Sequence, residues 1–151
     1  MKRLAAALTF ALTFTVAHAG AWGDGSFEND DAMDWVGECA QAASPGLVKA
    51  VFDRVHSADV VEAPDASAAI AAAEVVAASL GKQSPALPAN LKAWLDGQPR
   101  SQIAAQAALA ERALTKIEDA RHSELRQLWS EGKPNRWLTK VQALQSRIGG
   151  K

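Results

Sequence analysis

An alanine-rich apolar run near the middle of the chain constrains the fold more than any other feature. Over residues 66–80, every position except two serines and one glutamate is Ala, Val, Ile or Leu. A helix that is apolar on all sides is buried, and this run is shorter than the roughly 20 residues that span a bilayer. Gly81 follows the run and is a typical helix-ending residue. We therefore predict a core helix at the centre of a single domain.

The glutamate inside this run is Glu74. An unpaired charge in a protein interior is costly. We therefore expect the Glu74 side chain either to reach solvent or to pair with one of the arginines. We favour an ion pair over a catalytic role, because structural ion pairs are the usual explanation for such a residue.

Apolar side chains recur at helical spacing through most of the remaining chain. Such stripes cover residues 47–55, 91–95, 103–117, 125–129 and 137–148, and a further helix is expected between residues 31 and 44. No run alternates over a length typical of a strand, although Val60-Val61 could form a strand stub. We predict an all-α fold: a compact bundle of about six or seven short helices, preceded by a non-helical Gly- and Trp-rich N-terminal segment.

The first 19 residues have the pattern of a cleavable export signal. Met1-Lys2-Arg3 gives a positive start, an apolar stretch follows to Val16, and Ala17-His18-Ala19 places small residues where a signal peptidase reads. The apolar stretch is too short for a membrane anchor. We expect residues 1–19 to be removed, residues 20–151 to form one helical domain, and the protein to be exported to the periplasm or secreted.

Charge and cysteine content narrow the range of partners. The chain has 16 basic and 17 acidic side chains, and loss of Lys2 and Arg3 with the leader leaves 14 basic residues and a balance of −3. Without clustered Lys and Arg, nucleic acid is not an expected partner, and no later segment is long and apolar enough to span a membrane.

Cys39, the only cysteine, has no internal disulfide partner, and we interpret it as a small buried side chain.

The predicted mature start reads Gly-Ala-Trp-Gly-Asp-Gly-Ser-Phe-Glu-Asn-Asp-Asp-Ala-Met-Asp-Trp over residues 20–35. It resembles the opening of a bacterial family, domain of unknown function 4259, whose members typically begin G-x-W-G-x-G-x-F-x-N-D-x-A-x-D-W. The resemblance continues through residues 62–67, 123–129 and 137–138. It implies a mostly helical fold and, at most, an acidic site near the opening motif. Family members commonly start directly at this motif, whereas this chain places an export signal before it.

The candidate site residues are mostly acidic and lie near the opening motif. Closely spaced carboxylates repel one another unless a helix N-terminus, a cation or protonation relieves them. We favour helix capping over a calcium or magnesium site as the explanation for these residues. Whether the protein binds a metal is left open, and no cofactor is implied. Glu62 and Asp65 flank Pro64, with Asp65 expected as the N-cap of the core helix. The candidates for ligand or partner binding are Trp22, Asp24, Asn29, Asp30, Asp34, Glu62 and Asp65.

Three functions fit these observations, and no catalytic residue is assigned. The favoured one is a non-enzymatic exported binding protein of the cell envelope, of the immunity or inhibitor kind, with a protein partner. The second is a divalent-metal or small-ligand binding module built on the N-terminal acidic cluster. The third and least favoured is a hydrolase using the carboxylates of Asp34, Glu62 and Asp65. The sequence does not identify the partner or the oligomeric state.

Overall fold

The computed structural model describes residues 23–130 and 135–150, so the predicted leader over residues 1–19 and the candidate Trp22 lie outside the described residues. Within them the predicted all-α fold is confirmed. The eight described helices are α1 (Asp30–Gln41), α2 (Gly46–Ser57), α3 (Ala63–Ser79), α4 (Ala89–Asp96), α5 (Arg100–Ala104), α6 (Ala107–Glu118), α7 (Glu124–Leu128) and α8 (Arg136–Gly149).

The central helix predicted from the alanine-rich run is α3. Every residue from Ala66 to Ala78 is buried, and α3 packs against α1, α2, α5, α6, α7 and α8. Alanine side chains allow the neighbouring helices to approach closely on all sides. α3 ends at Ser79, and Gly81 in the turn that follows has a left-handed φ of 79°, a conformation that glycine adopts without steric cost.

The start of α3 differs from the prediction. The helix begins at Ala63, Glu62 occupies the N-cap position and Asp65 lies in the first turn, so the prediction that Asp65 is the N-cap is wrong. Pro64 is accommodated because the first turn of a helix does not need its N–H. The Ala63 N–H donates to the Glu124 carboxylate at 3.2 Å, which satisfies one free donor of the helix start from outside.

The stripe over residues 103–117 is divided between two helices, α5 and α6. Ala105 and Gln106 form a turn with φ,ψ of −62°, −15° and −81°, 0°, and the Gln106 N–H donates to the Ile103 carbonyl at 2.9 Å. These right-handed dihedrals lie near the helical range, so the apolar spacing continues through the break. This division raises the number of described helices to eight.

Val61 of the predicted Val60-Val61 stub forms the one β-bridge found within residues 23–130 and 135–150. Val61 forms an isolated parallel bridge with Ser123, in which the Val61 N–H donates to the His122 carbonyl at 2.8 Å and the Glu124 N–H donates to the Val61 carbonyl at 3.0 Å. The bridge joins the chain entering α3 to the start of α7. Among the described helices, none has the length and apolar character needed to cross a membrane.

Candidate functional site

Residues 23–29, here called the opening segment, form a tight loop before α1. The Gly23 N–H donates to the Glu28 carbonyl at 3.1 Å, and the Gly25 N–H donates to the Glu28 carboxylate at 2.7 Å. A Cβ added at Gly25 would lie 2.7 Å from Glu28 Oε2, and one at Gly23 would lie 2.9 Å from Glu28 Cβ. The Glu28 side chain therefore covers the bare backbone of both glycines. At Gly23 the clash involves the Glu28 Cβ, which cannot swing aside, whereas at Gly25 it involves only the movable end of the side chain.

Asn29 ends the opening segment and begins α1. Its backbone is extended and its side-chain oxygen accepts a hydrogen bond from the Ala32 N–H at 2.8 Å. This is an N-cap, which stabilises a helix by about 1 kcal/mol. The structure thus places Asn29 as the N-cap of α1, in line with the preference for helix capping at this part of the acidic cluster.

A buried ion pair joins the opening segment to α3 and α8. Glu74 is 4 % exposed, and Arg147 Nη2 lies 2.8 Å from each of its carboxylate oxygens. The Ser26 hydroxyl donates to Glu74 Oε1 at 2.8 Å. The expectation that Glu74 pairs with an arginine is confirmed.

The same arginine also ties the end of α8 to the loop after α3. Arg147 Nη1 donates to the Lys82 carbonyl at 3.1 Å, and Lys82 Nζ donates to the Arg147 carbonyl at 2.7 Å. We call the contacts of Ser26, Glu74, Lys82 and Arg147 the Glu74 network. It connects three parts of the chain that are far apart in sequence.

Asp24 makes a second attachment of the opening segment to α8. Its carboxylate pairs with Lys140 Nζ at 2.5 Å and with Arg136 Nε at 3.1 Å. The hydrogen bond from Lys140 holds the pKa of Asp24 below its ordinary value, opposed by burial and assisted by the charges of Lys140 and Arg136. Both basic side chains are more than half exposed, so solvent screening keeps the stabilisation small.

A shallow cleft separates the opening segment from α7 and α8. Its floor includes Ile70, and its far wall carries Trp129 and Trp137, whose rings are parallel within 2° with centroids 6.3 Å apart. The cavity volume is about 20 Å³, which is room for about one water molecule. Pockets for organic ligands are usually several hundred Å³, so the cleft in this form does not accommodate such a ligand.

The next acidic residues along the chain are those of α1. Asp30, Asp34 and Glu38 are exposed and spaced four residues apart, with half-buried Asp31 beside them. Burial, followed by repulsion from Asp34 and Asp30, raises the pKa of Asp31. α1 contains no basic residue that could offset these charges.

The remaining two candidates lie at the start of α3. Asp65 pairs with Arg54 of α2 at 2.9 Å, whereas Glu62 is exposed and its side chain makes no capping bond. Across residues 23–130 and 135–150, no three His, Cys, Asp or Glu side chains are grouped closely enough to hold a metal ion. Asp34, Glu62 and Asp65, the carboxylates of the hydrolase hypothesis, therefore do not form a metal-binding group within these residues.

Cys39 is fully buried in α1, as interpreted from the sequence. Burial raises the pKa of its thiol to about 12. The thiolate is the reactive form of cysteine, so this thiol is inert near neutral pH.

The fold and site together define a small all-helical domain in which a glycine-rich opening segment is attached to a buried central helix by an internal carboxylate. The chain belongs to the family described as Domain of unknown function (DUF4259), whose model matches residues 20–140. No curated protein and no solved structure matches the chain.

The Glu74 network predicts an asymmetric response to mutation. Replacing Arg147 by Met leaves a buried carboxylate uncompensated and should cost about 3 kcal/mol of unfolding free energy, the low end for a broken buried pair, because Arg147 is one-third exposed. Glu74→Gln should cost less, about 1–2 kcal/mol, since the partly exposed guanidinium can reach water. Urea unfolding measures both values.

The double variant Glu74→Leu/Arg147→Met provides the control, because an apolar pair removes both buried charges. We expect it to be more stable than Arg147→Met alone. A double variant no more stable than that single variant, or equal costs for the two single variants, would contradict this interpretation of the network.

Proposed function

We propose that the protein is an exported, non-enzymatic binding protein that uses the acidic face of α1, formed by Asp31, Asp34 and Glu38, to bind a basic surface of a protein partner in the cell envelope. The proposal has two parts, export and binding, which can fail separately. Export is supported by the leader pattern of residues 1–19.

The observation that carries the binding part is the charge of Asp31, Asp34 and Glu38 on α1. Its 12 residues include four carboxylates and no base, whereas exposed acids on α2 and α4 pair with lysine or arginine one turn away, as in Lys49–Asp53 and Lys92–Asp96. Asp31, Asp34 and Glu38 form no ion pair within the described residues.

Helix capping does not account for the whole face. Acids in the first turn of a helix are favoured by its dipole, but the effect fades beyond that turn. Asp34 and Glu38 lie further along α1, and like charges four residues apart destabilise a helix by a few tenths of a kcal/mol. A basic partner surface would remove this repulsion and speed association by electrostatic steering. Inhibitor and immunity proteins bind through such complementary surfaces.

The export part is tested by fractionating cells that express the full chain and sequencing the N-terminus of the protein found outside the cytoplasm. We expect an envelope or secreted protein that begins at Gly20. Full-length protein confined to the cytoplasm would overturn the export proposal, and a different first residue would overturn the assigned cleavage position.

The binding part is tested with the double variant Asp34→Asn/Glu38→Gln. Immobilised mature protein is used to capture a partner from envelope extract, and the affinity of the purified pair is then measured by calorimetry at two salt concentrations. We expect the variant to lose about tenfold in affinity, equivalent to 1.4 kcal/mol, and the wild-type affinity to fall with added salt.

A charge-matched control is Asp53→Asn/Asp59→Asn, which removes two exposed acids near the end of α2. It should retain the wild-type affinity. Equal binding by wild-type protein and the α1 variant, or an equal loss in the control, would contradict the assignment of the α1 face.

A further inference from the structure

Two oppositely charged side chains in the interface between α6 and α7 have buried atoms without hydrogen-bond partners. Arg126 Nε and Nη1 are inaccessible to solvent and unpartnered, and so is Glu118 Oε1. Each group is held weakly. The other Glu118 oxygen accepts a bond from Gln142 at 3.5 Å, and no ion pair of the described residues includes Arg126.

This arrangement is energetically unfavourable. An unsatisfied buried hydrogen-bonding group costs about 1–3 kcal/mol, and more when it is charged. Adjacent Nε and Nη N–H groups form one edge of the guanidinium fork, which matches the two oxygens of a carboxylate. Burial raises the pKa of Glu118, while Gln142 and the charge of Arg126 act to lower it. The two side chains thus attract each other without being in contact.

α7 is short, and its two ends are attached to other parts of the domain. It has five residues and a single buried side chain, Leu125. Its start is fixed by the bridge of Ser123 to Val61, and its end is followed by Trp129, which stacks on Trp137. Leu125 also lines the cleft beside the opening segment. Because Leu125 directly precedes Arg126 in the chain, a shift of Arg126 also moves a side chain that lines the cleft.

We propose that α7 is a movable wall of this cleft, with a second position in which Arg126 pairs directly with Glu118 and Leu125 shifts relative to Trp137 and Ile70. The position described above leaves buried donors and an acceptor unsatisfied. The second position satisfies them and changes the width of the cleft. This proposed movement of α7 requires neither binding through the α1 face nor export of the protein.

The experiment is NMR relaxation dispersion on the mature protein, observing the Arg126 Nε–H, the Leu125 methyl groups and the α7 amides. We expect exchange at one common rate for all three probes. Glu118→Gln and Arg126→Gln should each abolish it, since each removes one charge of the pair. Arg112→Gln, which removes an exposed positive charge on the same helix as Glu118, should leave it unchanged.

A carboxyl titration of Glu118 separates this proposal from a static arrangement. If the pair forms, the measured pKa of Glu118 should lie below the ordinary value for a glutamate and rise in Arg126→Gln. Absence of exchange together with a Glu118 pKa that stays raised in wild-type protein would overturn the proposal. Exchange that persists in Glu118→Gln would overturn it as well.

Discussion

The rest of the structure depends on one constraint, which is that α3 is buried on every side. Its small side chains let six other helices pack around it, and this burial leaves no solvent-facing side for a charged residue. Glu74 is nevertheless part of α3, so its charge must be neutralised within the protein. Arg147 and Ser26 perform this role, and their positions determine where the end of α8 and the opening segment are attached.

The opening segment is consequently a structural part of the domain. Ser26 contacts the central helix, Asp24 contacts α8, and Glu28 folds over two glycines. The polar residues near the N-terminus therefore divide into two groups. One group is used in internal contacts, and the other, Asp34 and Glu38 of α1, is exposed and has no basic neighbour in its own helix. The second group is the one on which the proposed binding function rests.

The sequence predicted the features that depend on local pattern. The alanine-rich run predicted the central helix, and apolar spacing predicted most of the others. The break at Ala105 and Gln106 was not predictable, because near-helical dihedrals preserve the spacing across it. The need for a Glu74 partner followed from its burial, but the identity of that partner did not. Arg147 is 73 residues away, and no local signal distinguishes it from the other arginines. Similarly, nothing in the sequence indicated that Asp65 would pair with Arg54 or that Arg126 would have two buried nitrogens without hydrogen-bond partners.

Native-state hydrogen exchange of α3 tests the central claim most directly. An amide in an element that cannot open without disrupting the whole core exchanges only through global unfolding. We therefore expect the amides of residues 70–77 to exchange with the free energy and the denaturant dependence of global unfolding. The amides of α7 should exchange with a lower opening free energy. Exchange of the α3 amides through local fluctuations, with little denaturant dependence, would contradict the account.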